Sequence, residues 1–108
     1  MDDCNKALLW AAITDIDLQV YKASVYKLRW DTPGSGLDLG LPALEEARAT
    51  LLEVGEWPVE LQESVAVLQK VLDEYIKLLE ARDHTSASAQ QTRLMISINN
   101  LRAELRDL

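Results

Sequence analysis

All four glycines and all three prolines of this chain fall in two short stretches, Asp31 to Pro42 and Gly55 to Pro58. The rest of the chain is free of the two residues that interrupt helices most strongly. The first stretch, DTPGSGLDLGLP, combines fixed and left-handed dihedrals and is expected to form the one long loop. The second, VGEWP, reads as a helix end at Gly55 and a helix start at Pro58. A softer break is DHTSASAQQ, where Thr85, Ser86 or Ser88 offers an N-cap and Ser88 with Gln91 has capping-box spacing. These breaks predict four helices, over Asp3 to Trp30, Pro42 to Val54, Pro58 to Arg82 and Ser86 to Asp107. Their lengths would be about 42, 20, 38 and 33 Å.

Apolar periodicity agrees with that division. In the third segment Leu61, Val65, Leu68, Leu72, Tyr75 and Leu79 alternate spacings of four and three, which places them on one face of a helix. Val67, Val71 and Leu78 are expected to widen that face to about half the circumference, enough to touch two neighbours. The last segment carries a narrower stripe, Leu94, Ile98, Leu101, Leu105 and Leu108, flanked by arginines in the manner of a coiled-coil seam. Leu44, Ala47, Leu51 and Val54 give the second segment a modest apolar face. The predicted fold is all-α: one domain over residues 1–108, an antiparallel bundle of four helices, three long and one short.

Composition narrows the function classes. The chain is 48% hydrophobic with no Phe, a globular composition rich in the aliphatic residues that suit helix seams. Its net charge of -7 is shared by both halves and there is no basic block, so nucleic acid and anionic membranes are not expected partners. The single cysteine, Cys4, offers neither an intrachain disulfide nor a thiolate metal site. No apolar run approaches the roughly 20 residues of a membrane span. The apolar run Ala7 to Ile13 lacks the basic flank of a secretory signal. A soluble, cytoplasmic protein is the expectation.

Three stretches invite a chemical reading. Glu60 with Glu63 and Glu80 with Asp83 form the pattern E-x-x-E, gap, E-x-x-D, which superficially resembles that of the all-α nucleotide pyrophosphatases and would imply a divalent cation. An unbroken helix, however, sets Glu60 and Glu80 roughly 30 Å apart, and ligands at about 2.0 to 2.6 Å from one ion cannot come from both ends of it. DHTSASA, around the lone His84, resembles the phosphoacceptor region of four-helix histidine-phosphotransfer domains, which would imply phosphorylation of His84. The Lys and Gly usual at the third and fourth positions after that histidine are replaced by Ala87 and Ser88, and His84 falls at a predicted helix break, where it would complement the carbonyl end of the third helix. ITDID, Ile13 to Asp17, looks like the first helix of helical chorismate mutases, without the arginine expected before it. GSGLDLG follows a helix instead of a strand, so it is not a dinucleotide fingerprint. No catalytic residue, cofactor or metal is expected.

The first helix is the informative one. At 100° per residue, Leu9, Ala12, Ile13, Ile16, Val20, Ala23 and Trp30 make one apolar arc, and Trp10, Leu18, Tyr21, Val25 and Leu28 make a second. A surface helix of a small monomer needs one such stripe. The second must cover another helix of the bundle or another molecule, and its aromatics suit an interface. The expected function is therefore a non-enzymatic protein-interaction module that forms homo-oligomers through Trp10, Leu18, Tyr21, Val25 and Leu28. It would be an assembly or adaptor subunit, or a small acidic inhibitor of a basic enzyme site. The alternative is an enzyme or phosphotransfer bundle working at His84 or at a carboxylate-bound metal.

Overall fold

The computed structural model describes residues 2–27 and 36–108. Four α-helices follow one another: α1 (Asp3–Lys27), α2 (Gly36–Glu53), α3 (Gln62–Glu80), entered through a short 3-10 turn at Val59–Leu61, and α4 (His84–Arg106). Each helix packs against two others, in the cyclic order α1, α2, α3, α4 and back to α1. The antiparallel four-helix bundle expected from the periodicity is the fold.

Side-chain ties join each neighbouring pair, and the two between α1 and α4 show that they run antiparallel. The start of α1 meets the end of α4, where Lys6 Nζ donates to the Arg106 carbonyl at 2.9 Å. The end of α1 meets the start of α4, where Gln91 Nε2 donates to Ser24 Oγ at 2.7 Å. Thr50 Oγ1 of α2 donates to Asp15 Oδ2 of α1 at 2.7 Å, and Arg48 of α2 pairs with Asp73 of α3 at 3.2 Å. Ser64 Oγ of α3 donates to Glu104 Oε2 of α4 at 2.6 Å. Between these rims lies an aliphatic core with Ile16 and Val20 from α1, Leu44 from α2, Leu72 from α3 and Ile98 and Leu101 from α4, all wholly buried.

Three expectations need correction. Helix α2 begins at Gly36 instead of Pro42, so most of the expected loop is helical and Pro42 stands inside α2. A proline in a helix interior costs about 3 kcal/mol or more because it removes a hydrogen bond and crowds the preceding turn. Pro42 itself lies on the solvent side, while Gly40, Ala43 and Leu44 are buried. Tertiary burial outweighs the local penalty. Val67 and Leu108, expected on the inner faces of α3 and α4, are exposed, whereas Val71 and Leu78 are partly buried as the widened face requires. Finally, none of Thr85, Ser86 and Ser88 caps α4; Asp83 does, its carboxylate accepting from the Ser86 amide at 3.1 Å. Trp30, expected in the core arc of the first helix, lies outside the described residues.

Two breaks behave as their residues demand. Gly55 takes a φ of 77°, the left-handed conformation that ends α2 at little steric cost. Trp57 then folds back beneath the bundle and is 6% exposed, its indole Nε1 donating to the Leu51 carbonyl at 3.3 Å.

Candidate protein-interaction surface

The described residues of the two arcs of α1 separate by burial, apart from Ala12, which is half-buried. Leu9, Ile13, Ile16, Val20 and Ala23 belong to the core. On the other side of the helix Trp10 is 38% exposed, Leu18 49%, Tyr21 65% and Val25 45%. Leu28 lies outside the described residues. The bundle therefore completes its core without the second arc, and α1 carries apolar side chains on two opposed faces. Large exposed apolar side chains aligned on one face are informative, whereas single ones scattered over a surface are normal.

Flanking polar groups hold this face in shape. Arg102 of α4 pairs with Asp17 Oδ2 at 2.8 Å and lies 6.0 Å from the centre of the Trp10 ring, so one guanidinium anchors both a carboxylate and an indole along one border. Its Nη1 also donates to Asn99 Oδ1 at 3.3 Å. Within the strip, Thr14 turns its hydroxyl onto the Trp10 carbonyl at 2.9 Å, which satisfies the hydroxyl locally and leaves its methyl to the surface. On the other border Asp15 is held by Thr50 and lies 3.4 Å from Gln19 Nε2. Lys22 is exposed on that border and forms no ion pair among the described residues. Arg102 could not be assigned to this face from spacing, because it is 85 positions from Asp17 and only the α1–α4 pairing brings them together.

The other sequence candidates come apart. Glu60 lies in the 3-10 turn, Glu63 in the first turn of α3, Glu80 at the end of α3, and Asp83 has become the cap of α4. Glu63 and Glu80 are separated along one helix by roughly 25 Å. Among the described residues no group of three or more His, Cys, Asp or Glu side chains could hold a metal ion. His84 opens α4 instead of closing α3, because the chain reverses in a single turn and the next helix starts at once. Ile13 to Asp17 lie in mid-α1, with Ile13 and Ile16 in the core.

Elsewhere the surface of the described residues carries shallow grooves. Val67 and Ile96 share a groove between α3 and α4 that is bordered by Glu63, Arg93 and Glu104. Leu8 lies beside a cleft formed with Val54 and Pro58. Among the described residues the titratable group most displaced by its surroundings is the Tyr75 phenol, pushed up to about 12 by burial, and it is sealed in the core away from any surface. No helix of the described residues is long and apolar enough to cross a membrane. Compared with models of protein families, with characterised proteins and with solved structures, the chain matches none.

Proposed function

We propose that this chain is a non-enzymatic helical module for protein–protein interaction, and that the outer face of α1 is its contact surface. One observation carries the reading: Trp10, Leu18, Tyr21 and Val25 lie exposed along one helix whose opposite face already completes the core. Burying each such side chain contributes about 1.5 to 3 kcal/mol, so a partner that covers the strip gains enough to offset the cost of association. Trp and Tyr are the residue types that most often anchor interfaces. The acidic surface, at a net charge of -7, favours protein partners over nucleic acid or anionic membranes and would steer association with basic ones. An assembly or adaptor subunit, or a small acidic inhibitor, fits these properties, working in the cytoplasm.

The test compares the two faces of α1. Tagged wild-type protein and a Leu18→Glu, Tyr21→Glu variant are used to capture binding proteins, further copies of the chain included, from the cells that make it. The variant should lose the bound proteins while keeping its helical circular dichroism, whereas Ile16→Glu on the inner face should lose the fold. Identical capture by wild type and the outer-face variant, or collapse of its circular dichroism, would overturn the assignment.

A further inference from the structure

The outer face of α1 has a regularity that exposure alone does not require. Ala11, Thr14, Leu18, Tyr21 and Val25 are spaced three, four, three and four apart, the a and d pattern of a heptad repeat, and all five are exposed. With Ala11, Leu18 and Val25 at a and Thr14 and Tyr21 at d, the core residues Leu9, Ile16 and Ala23 fall at f, directly opposite. Asp15 and Lys22 both fall at e, on the same border of the seam, seven residues apart.

We infer that the partner of this face is a second copy of the chain, docked through an antiparallel two-stranded coiled coil of α1 on α1 about a two-fold axis. The inference rests on the reading of the outer face as a contact surface. What selects a second copy is self-complementarity. In an antiparallel pair, a residues face d residues and e residues face e residues. Setting Leu18 opposite Tyr21 of the second copy brings Tyr21 opposite its Leu18, so the two largest seam residues fill the two central layers. Thr14 and Val25 meet in the layers on either side. The same register sets Asp15 against Lys22 of the second copy, and Lys22 against its Asp15. The e borders of the two copies, each with a charge of either sign, are thus paired by one two-fold operation, and Lys22, which forms no ion pair among the described residues, gains an opposite charge. A parallel pair would instead direct Lys22 towards Asp17, which Arg102 already holds at 2.8 Å.

Ala11 to Val25 span about 21 Å of helix, so the contact belongs to the small class, below about 1,200 Å² in total. Self-association with a dissociation constant on the order of 10 μM is expected. Light scattering after size exclusion should give a dimer at about 200 μM that separates on dilution. Asp15→Lys and Lys22→Asp should each weaken it about ten-fold, by turning two attractive pairs into repulsive ones. An equimolar mixture of these two variants should associate as tightly as wild type, because every border pair then joins a Lys to an Asp. Asp15 also accepts the Thr50 hydroxyl, so a second measurement avoids it. In a Cys4→Ser background, singly substituted Thr14→Cys and Val25→Cys chains, mixed and oxidised, should cross-link to each other in preference to themselves. A monomer at about 200 μM overturns the proposal; if the outer-face variant still loses a different captured protein, only the identity of the partner falls. A dimer in which Thr14→Cys links chiefly to itself overturns the antiparallel register.

Discussion

The phenol of Tyr75 is wholly buried, lies near Ser24 and makes no well-formed hydrogen bond. Ser24 is already engaged, donating to the Val20 carbonyl at 3.0 Å and accepting from Gln91. A buried hydroxyl without a partner loses its hydration and gains little in return, so Tyr75→Phe should leave stability unchanged or raise it by up to about 1 kcal/mol in chemical denaturation. Alkaline pH separates the two proteins further. Burial raises the Tyr75 pKa from 10.0 to about 12, so between those values the unfolded chain has released a proton that the native chain retains. The contribution of the neutral Tyr75 to wild-type stability is therefore intact below pH 10.0 and is lost as pH rises towards about 12. The phenylalanine variant should lose less over that window, by an amount on the order of 2 kcal/mol, and parallel falls in the two proteins would show that Tyr75 ionises without opening the core. At this scale the sequence reveals burial better than it reveals partners. Tyr75 sits in phase with Leu68, Leu72 and Leu79, so its burial can be read from spacing, whereas its position beside Ser24 depends on how α1 and α3 approach. The burial of Trp57 is hidden in the sequence for a related reason: it stands between breakers, outside any periodic stripe, and folds inward only after the chain has turned at Gly55.

Among the elements, the junction of α3 and α4 shows how a helix end without glycine is made. The Arg82 amide bonds the Leu79 carbonyl at 3.1 Å and the Asp83 amide bonds the Leu78 carbonyl at 3.1 Å, the paired closure of a Schellman motif. This requires Arg82 at a φ of 57°, where a side chain costs about 1 to 2 kcal/mol. Arg82→Gly should stabilise by roughly 0.5 kcal/mol after the greater freedom of glycine in the unfolded chain is subtracted, and Asp83→Ala should cost about 1 kcal/mol through the lost cap. A loss of stability in Arg82→Gly would mean that the arginine side chain makes a contact worth more than its backbone strain. The letters ARDHT pointed to a break here but not to its form, because Arg has no preference for the left-handed region and four neighbouring residues are competent caps. The start of α2 was less legible still. Glycine and proline penalties are local and visible in sequence, but the burial of Gly40, Ala43 and Leu44 that overrides them depends on α1 being in place. Helix α1 was the reverse case: both arcs were legible as arcs, and the compact aliphatic one became core while the one with Trp10 and Tyr21 remained outside.

For the molecule as a whole, the cyclic order of packing means that the first helix and the last are neighbours, with Lys6 Nζ on the Arg106 carbonyl at 2.9 Å. The order in which the chain visits the four helices is thus not what holds the ring closed. Residues 2 and 108 can be joined by a linker of about six residues, and a new opening can be placed at Gly55 and Glu56, both exposed and beyond the end of α2. Such a circular permutant, running from α3 through α4 and α1 to α2, should unfold cooperatively with nearly the wild-type helical content, measured by thermal circular dichroism. Loss of the cooperative transition would mean that the α2–α3 connection, through Trp57, does more than connect. In the permutant, α1 becomes an interior segment of the chain with its outer face unchanged, and the new ends lie beside Leu8 and Leu9 in the cleft that Glu56 lines, so extensions there would start next to the first turns of α1.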